Sequence, residues 1–194
     1  MYKNMSELLE ERENNGWKLE KFEIKQSNFR AMLDGIMPGT YIRLTHNGEC
    51  VMSDTNMEKN TNRKFCSKAH GDIIIGGLGI GMIIMAIQDK PEVKSITVIE
   101  KNQEVIDLVV SQLDFNEKVN IICADVFGWK PERGVKYDMA YMDIWNWVNQ
   151  DVYKKEMQPL KRKYARFLRN KETNPNRFNE CWAEYQAKNG RRLI

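Results

Sequence analysis

Gly77, Gly79 and Gly81 stand in the pattern G-x-G-x-G between two apolar runs, Ile73–Ile75 and Met82–Ile87. A short strand that turns through glycines into a helix presents free N–H groups and the positive end of the helix dipole to a ligand. Glycine suits such a turn because a side chain would hold ligand and backbone apart, and because the turn can require a positive φ. The next apolar stretch, SITVIE, ends in Glu100, 19 residues after Gly81. A carboxylate at that strand end can accept hydrogen bonds from both hydroxyls of a ribose. The expected chemistry is therefore the binding of a nucleotide-type cofactor. A dinucleotide fingerprint, G-x-G-x-x-G, is excluded by the spacing, since position 82 would have to be glycine and is Met82.

Further acids follow further apolar stretches: Asp125 after VNIICA and Asp143 after YDMAYM. In an open α/β sheet, ligands sit beyond the carboxyl ends of the strands, so Gly77, Glu100, Asp125 and Asp143 would aim at one place. The alternatives are a turn or helix cap for Asp125 and a cap for Asp143. Trp145 and Trp147 are read as core side chains, with a stacking wall for a substrate as the other reading. Asp54 and Glu58, in MSDTNMEK (52–59), are either solvated loop acids or partners for a cationic group. His46 reads as a turn residue and His70 as a cap, and neither has a visible catalytic partner. The four cysteines are scattered, without a C-x-x-C pair, which argues against a structural zinc and for reduced thiols in a cytoplasmic protein.

The elements needed to position these residues follow from the periodicity. Residues 5–14 read as a short helix closed by Asn15-Gly16, and Trp17, Leu19, Phe22 and Ile24 as a first strand. Tyr41–His46 and Glu49–Ser53 flank Asn47-Gly48, a hairpin signal. The polar stretch 52–65 reads as a linker to the main sheet. Strand and helix then alternate over 72–76, 82–88, 95–100, 103–113, 119–124 and 137–143, which predicts parallel strands with crossover helices. From Gln150 onward the reading is helical. Tyr153, Met157, Leu160, Tyr164, Phe167 and Leu168 form one apolar stripe, and Phe178, Trp182 and Tyr185 a last amphipathic helix.

Length and composition set the bounds. At 194 residues, with 42% hydrophobic and 29% charged residues, the chain can build one substantial core of a soluble protein. Its longest apolar run, 73–87, is broken by glycines and falls short of a membrane span, and no signal-like segment opens the chain. The net charge of +3 hides an asymmetry, because residues 151–194 hold 12 Lys or Arg against 5 Asp or Glu. That tail reads as a solvated helix face, with contacts to phosphates as the alternative.

The hairpin YIRLTHNGECVMSD, the loop GGLGIG, the strand end VIEK, CADVF and YDMAYMDIW together resemble the spermidine synthase-like branch of the class I S-adenosylmethionine-dependent methyltransferases. The resemblance runs from Tyr41 to about Trp145. It implies an α/β fold: an N-terminal helix and β-hairpin segment (1–66), a Rossmann-like core binding S-adenosylmethionine (67–148), shortened at the C-terminal side of its sheet, and basic C-terminal helices (149–194). Carried over, Gly77, Gly79 and Gly81 would line the methionine and ribose part of the cofactor, and Glu100 would hold the ribose hydroxyls. Asp125 would accept from the adenine amino group, with Val126 supplying a backbone contact. Asp143 falls where polyamine-forming enzymes keep an acid that binds and deprotonates the attacking amine. Asp54, Glu58 and Trp145 become candidates for the gate or the substrate wall. No metal is implied.

Aminopropyltransferases carry an acid between the last two loop glycines, and here that position is Ile80. The cation of decarboxylated S-adenosylmethionine would lose its partner there. The expectation is thus a methyltransferase using S-adenosylmethionine on a small-molecule acceptor. An aminopropyltransferase-like enzyme, a nucleic-acid methyltransferase using Lys161, Arg162, Lys163, Arg166 and Arg169 on phosphates, and an inactive cofactor-binding module remain alternatives. The shortened sheet and aromatic C-terminal helices fit a homodimer.

Overall fold

The computed structural model describes residues 2–28, 31 and 36–191. Two Asn-Gly pairs organise its N-terminal part. Asn15 and Gly16, and again Asn47 and Gly48, take φ of 50° and 84°, the consecutive left-handed pair of a type I′ turn, whose twist suits a hairpin. Strands β1 (Arg12–Asn14), β2 (Trp17–Ile24), β3 (Gly39–His46) and β4 (Glu49–Ser53) accordingly form an antiparallel sheet in that order. The second hairpin lies where the sequence places it. The first corrects the expectation of a helix over 5–14: helix α1 is only Met5–Leu8, and Arg12–Asn14 pairs with Trp17–Leu19. Asn-Gly suits a helix end and a hairpin tip equally, and pairing against β2 decides for the tip.

The stretch 52–65 is not a linker either. Asn56–Lys68 forms helix α2, whose buried side chains are Glu58, Asn62, Phe65 and Cys66. Two of the four are polar, so a hydrophobic period does not show in the sequence.

Beyond α2 the expected alternation is observed: β5 (Gly71–Gly76), α3 (Met82–Ile87), β6 (Val93–Glu100), α4 (Gln103–Val110), β7 (Val119–Cys123) and β8 (Met139–Met142). The C-terminal part is not wholly helical. Helix α5 (Gln150–Val152), a π-helical turn (Tyr153–Met157) and α6 (Gln158–Ala165) are followed by a further strand, β9 (Phe178–Cys181), and then by α7 (Glu184–Asn189). Phe178 and Trp182 therefore do not share a helix face with Tyr185. Phe178 packs on the rings of Phe65 and Tyr141 from a strand. The five strands are parallel throughout, in the order β7-β6-β5-β8-β9. The molecule is an α/β protein with a Rossmann-like parallel sheet, an N-terminal antiparallel sheet and C-terminal helices.

Side chains alternate across the parallel strands, so each strand feeds two cores. Ile73, Ile75, Ile96 and Val98 face α3, α4 and the antiparallel sheet, where Leu19, Ile42 and Leu44 are buried with them. Ile74, Ile99 and Ala140 face the C-terminal helices, meeting Met157, Leu160 and Tyr164 of the expected stripe. The chain leaves β5 for β6 and β7 on one side and returns to β8 and β9 on the other. The gap between the carboxyl ends of β5 and β8 is thus a topological switch point, where such sheets bind ligands.

At the opposite end of the strands, Arg169 donates through Nη1 to Asp138 and through Nη2 to Asp72, each at 2.7 Å. Asn174 donates to the Asp138 carboxylate at 3.1 Å. The pairing clamps β5, β8 and the C-terminal segment together, and it removes Arg169 from the set of free cations. Replacing Arg169 by Ala is expected to cost about 1–3 kcal/mol, the range for hydrogen bonds to charged groups. Urea denaturation would report this as a lower midpoint at unchanged slope; an unmoved midpoint would mean that solvent already screens the clamp. No helix among the described residues is long and apolar enough to cross a membrane.

Candidate functional site

A cavity of about 300 Å³ opens at the switch point. The glycine loop forms its floor. Gly77 holds a φ of 94°, and a Cβ there would lie 2.1 Å from the carbonyl oxygen of Asp143; only a bare backbone can pass so close to the end of β8. Gly79, at a φ of 52°, lies under Met52 of β4, whose sulfur would be 2.0 Å from a Cβ and accepts the Ile80 N–H at 3.2 Å. Gly81 differs from both. It caps α3, and a Cβ there would meet Leu113 Cδ1 at 2.5 Å, so it serves the packing of loop on helix and does not line the cavity.

Glu100 ends β6, buried at the cavity wall. Its Oε2 accepts from the Leu78 N–H at 2.9 Å, and its Oε1 from the Asn102 N–H and Nδ2 at 2.9 and 3.0 Å. Three donors compensate its burial, and one of them ties the acid to the glycine loop. Asp125 lines the next stretch of wall and also fills the turn role read as its alternative: its Oδ1 accepts the Phe127 N–H at 2.8 Å, while Lys101 Nζ lies 3.5 Å from Oδ2. The carbonyl of Val126 accepts from Lys163 Nζ at 2.9 Å and from the Tyr164 hydroxyl at 3.0 Å. Those bonds fix the turn, and the Val126 N–H finds no acceptor among the described residues.

Asp143 follows β8, its N–H donating to the Gly76 carbonyl at 2.8 Å. Glu58 of α2 interacts with it electrostatically, and both residues line the cavity. Burial pushes both well above the usual carboxylate range, and the negative charge of Asp143 raises Glu58 further. The Asn62 amide opposes the shift at Asp143. Asn62 is held in turn by the Tyr141 hydroxyl, which donates to its Oδ1 at 2.7 Å. Trp145 completes the rim by donating from Nε1 to Glu156 at 2.8 Å.

Of the residues expected from sequence, Gly77, Gly79, Glu100, Asp125, Val126, Asp143, Glu58 and Trp145 thus share one cavity. Asp54 does not join them. It is fully buried, and its Oδ1 accepts the Ile42 N–H at 2.8 Å, fastening the start of α2 to β3. Trp147, read as core, is 63% exposed. Sequence reasoning missed Trp17, Met52 and Glu156, which line the same space. Trp17 directly follows the Asn15-Gly16 turn, and recognising that turn as a hairpin would have pointed to it. Glu156 carries no signal, since a π-helical turn displaces the face that a regular helix would present.

Neither a protein-family model nor a curated protein matches the chain. Among solved structures, it is similar to the plantazolicin methyltransferase BpumL in complex with a monoazolic desmethylPZN analog and SAH, at 17% identity and a TM-score of 0.41, over 59% of this chain and 48% of that one. It is similar to N-methyltransferase NodS from Bradyrhizobium japonicum WM9 in complex with S-adenosyl-L-homocysteine, at 12% identity and 0.47, over 60% and 59%. An S-adenosylmethionine-dependent methyltransferase from Clostridium acetobutylicum ATCC 824 matches at 15% and 0.41, over 60% and 48%. The chain spans about half the length of the first of these.

Proposed function

We propose that the chain is an S-adenosylmethionine-dependent methyltransferase acting on a small-molecule acceptor. The observation that carries this reading is the convergence of the glycine loop, Glu100, the Asp125–Val126 turn and Asp143 on one cavity. The donor set fits the cofactor. Glu100 presents a carboxylate to vicinal hydroxyls, Asp125 an acceptor to an amino group, and Val126 a free N–H to a ring nitrogen, while the glycine loop offers bare backbone to the methionine part. A volume of about 300 Å³ lies at the small end of the range for ligand pockets, roughly 300–1,000 Å³.

When bound, S-adenosylmethionine would supply an activated methyl group, carried on a positively charged sulfur, for transfer to the acceptor's lone pair with the carbon–sulfur electron pair left on sulfur. The protein's own work is alignment, exclusion of water and removal of a proton. We assign to Asp143 the orientation of the nucleophile and the removal of that proton; its position beside the glycine loop and at the cavity supports the assignment. Ile80, fully buried, stands where an aminopropyl donor would need an acid, which supports methyl over aminopropyl transfer. The antiparallel sheet ahead of the parallel one supports placement in the spermidine synthase-like branch. Lys161, Lys163 and Arg169 are engaged with Glu184, the Val126 and Phe127 carbonyls, and Asp72 with Asp138, which favours a small acceptor over a nucleic acid.

The cofactor assignment is tested by calorimetry with S-adenosylhomocysteine. Glu100→Ala should weaken binding at least tenfold, or about 1.4 kcal/mol. Equal affinity in the variant, or no binding by the unaltered protein, would remove the assignment.

A further inference from the structure

A second cavity, of about 770 Å³, opens at the other end of the parallel strands, away from the glycine loop. Three connections wall it: Lys68 and His70 between α2 and β5, Lys90 and Glu92 between α3 and β6, and Lys171, Asn176 and Arg177 ahead of β9. Among the described residues, no carboxylate lies within ion-pair distance of Lys68, Lys171 or Arg177. Of the two acids on the wall, Glu180 is taken by Lys64, which leaves Glu92 alone against those cations. Lys90 Nζ donates to the Cys66 carbonyl at 2.6 Å and so serves the end of α2. The loop ahead of β9 is held by Asn174, which is buried. Its Nδ2 donates to the Asp138 carbonyl and carboxylate, each at 3.1 Å, which fixes the amide with its accepting Oδ1 3.3 Å from His70 Nε2. The Lys68 carbonyl lies 2.9 Å from His70 Nδ1. Both ring nitrogens thus face acceptors, and the ring that satisfies both is the doubly protonated, positively charged one. The charge of Asp138 beside it is already met by Arg169.

From this cluster we infer that the protein holds a second ligand, one carrying two or more linked phosphates, at the amino ends of β5, β6 and β9. The inference does not rest on the transferase reading. Cations that converge without a counter-charge repel one another, and an anion between them offsets that repulsion. A concave wall of one sign also focuses the field and raises the local concentration of an oppositely charged ligand. Because the cations come from separate connections, several phosphates in a chain engage more of them than one phosphate does. Arg177 supplies the planar donor fork that matches a pair of phosphate oxygens, while the lysines act as point charges. Phe178 is the only Phe, Tyr or Trp on this wall, and it is buried. A single-stranded nucleic acid would have no ring to stack its bases on, so the ligand is a small polyphosphate.

Inorganic tripolyphosphate is titrated calorimetrically into the protein at low ionic strength, with and without saturating S-adenosylhomocysteine. It should bind, and Lys171→Gln combined with Arg177→Gln should weaken that binding at least tenfold. Lys25→Gln combined with Lys130→Gln, at two exposed lysines off this wall, removes the same charge and should change it by less than twofold. Adenosine triphosphate separates the two sources of a phosphate chain: tighter binding than tripolyphosphate assigns the site to a nucleotide, and equal or weaker binding assigns it to the chain of phosphates itself. No binding of tripolyphosphate by the unaltered protein overturns the inference. An equal loss in the two double variants also overturns it, since the attraction is then diffuse. Competition by S-adenosylhomocysteine does the same by placing the phosphates on the glycine loop. An oligothymidylate that binds more tightly than either probe, with a steeper dependence on salt, overturns it in favour of a nucleic acid. If S-adenosylhomocysteine does not bind at all, the proposed function fails, and the tripolyphosphate titration still decides for or against this second site.

Discussion

Asp143→Asn is expected to lower turnover by about 10²–10⁴-fold, the usual contribution of a positioned general base, while S-adenosylhomocysteine affinity stays unchanged. The side-chain amide keeps the size of the carboxylate but cannot take a proton, so a loss confined to turnover identifies the base. Undiminished turnover at full affinity would exclude Asp143 from the chemistry. The pH profile carries the same information. Burial pushes Asp143 up to about 7 and Glu58 up to about 8, so the pair titrates together and the rate should rise with pH across roughly that interval. In the Asn variant that limb should flatten. Stability runs the other way. Carboxyls whose pKa is raised on folding bind more protons in the folded state, so their contribution is complete below the unfolded value and is lost as pH rises through the folded one. The pair should therefore make the protein less resistant to urea at pH 9 than at pH 6, values that bracket the interval in which its rate increases.

The second large effect is expected at Gly77. Alanine there must hold a φ of 94° and place its Cβ 2.1 Å from the Asp143 carbonyl oxygen. The obstacle is backbone and cannot swing aside, so the loop must lift from β8. A loss of roughly 2–5 kcal/mol in unfolding free energy should follow, from overpacking together with left-handed strain. Gly128→Ala provides the control. Its φ is not in the left-handed region and its nearest new neighbour is the Asp125 carbonyl oxygen at 3.7 Å, so its unfolding free energy should shift by less than about 0.5 kcal/mol. Equal shifts in the two variants would show that Gly77 is not the tight point of the loop.

The parts of the site legible in the sequence are those in which backbone geometry restricts residue type. The glycines of the loop and the Asn47-Gly48 turn meet a steric demand, and the acid closing β6 a hydrogen-bonding one, that few residues satisfy, so their spacing carries the fold. Asp143 was legible through its position at a strand end. What stayed hidden was set by partners distant along the chain. Asp54 reads as a free loop acid and is spent on the Ile42 N–H. Glu58 reads as solvated and is buried, because α2 lies against the sheet with a polar inner face. Strand β9 offers four residues, FNEC, of which only Phe178 and Cys181 are buried; so short a segment becomes a strand by pairing with β8, which local periodicity cannot reveal.

The Trp145–Glu156 bond closes a rim whose other side is made by Trp17 and Met52, residues about a hundred positions earlier in the chain. Synthesis proceeds from the N-terminus, so a chain emerging from the ribosome exposes Trp17, Met52 and Glu58 long before Glu156 exists to face them. The cavity is therefore complete only after the segment carrying Trp145 and Glu156 has followed the earlier acids and rings out of the ribosome.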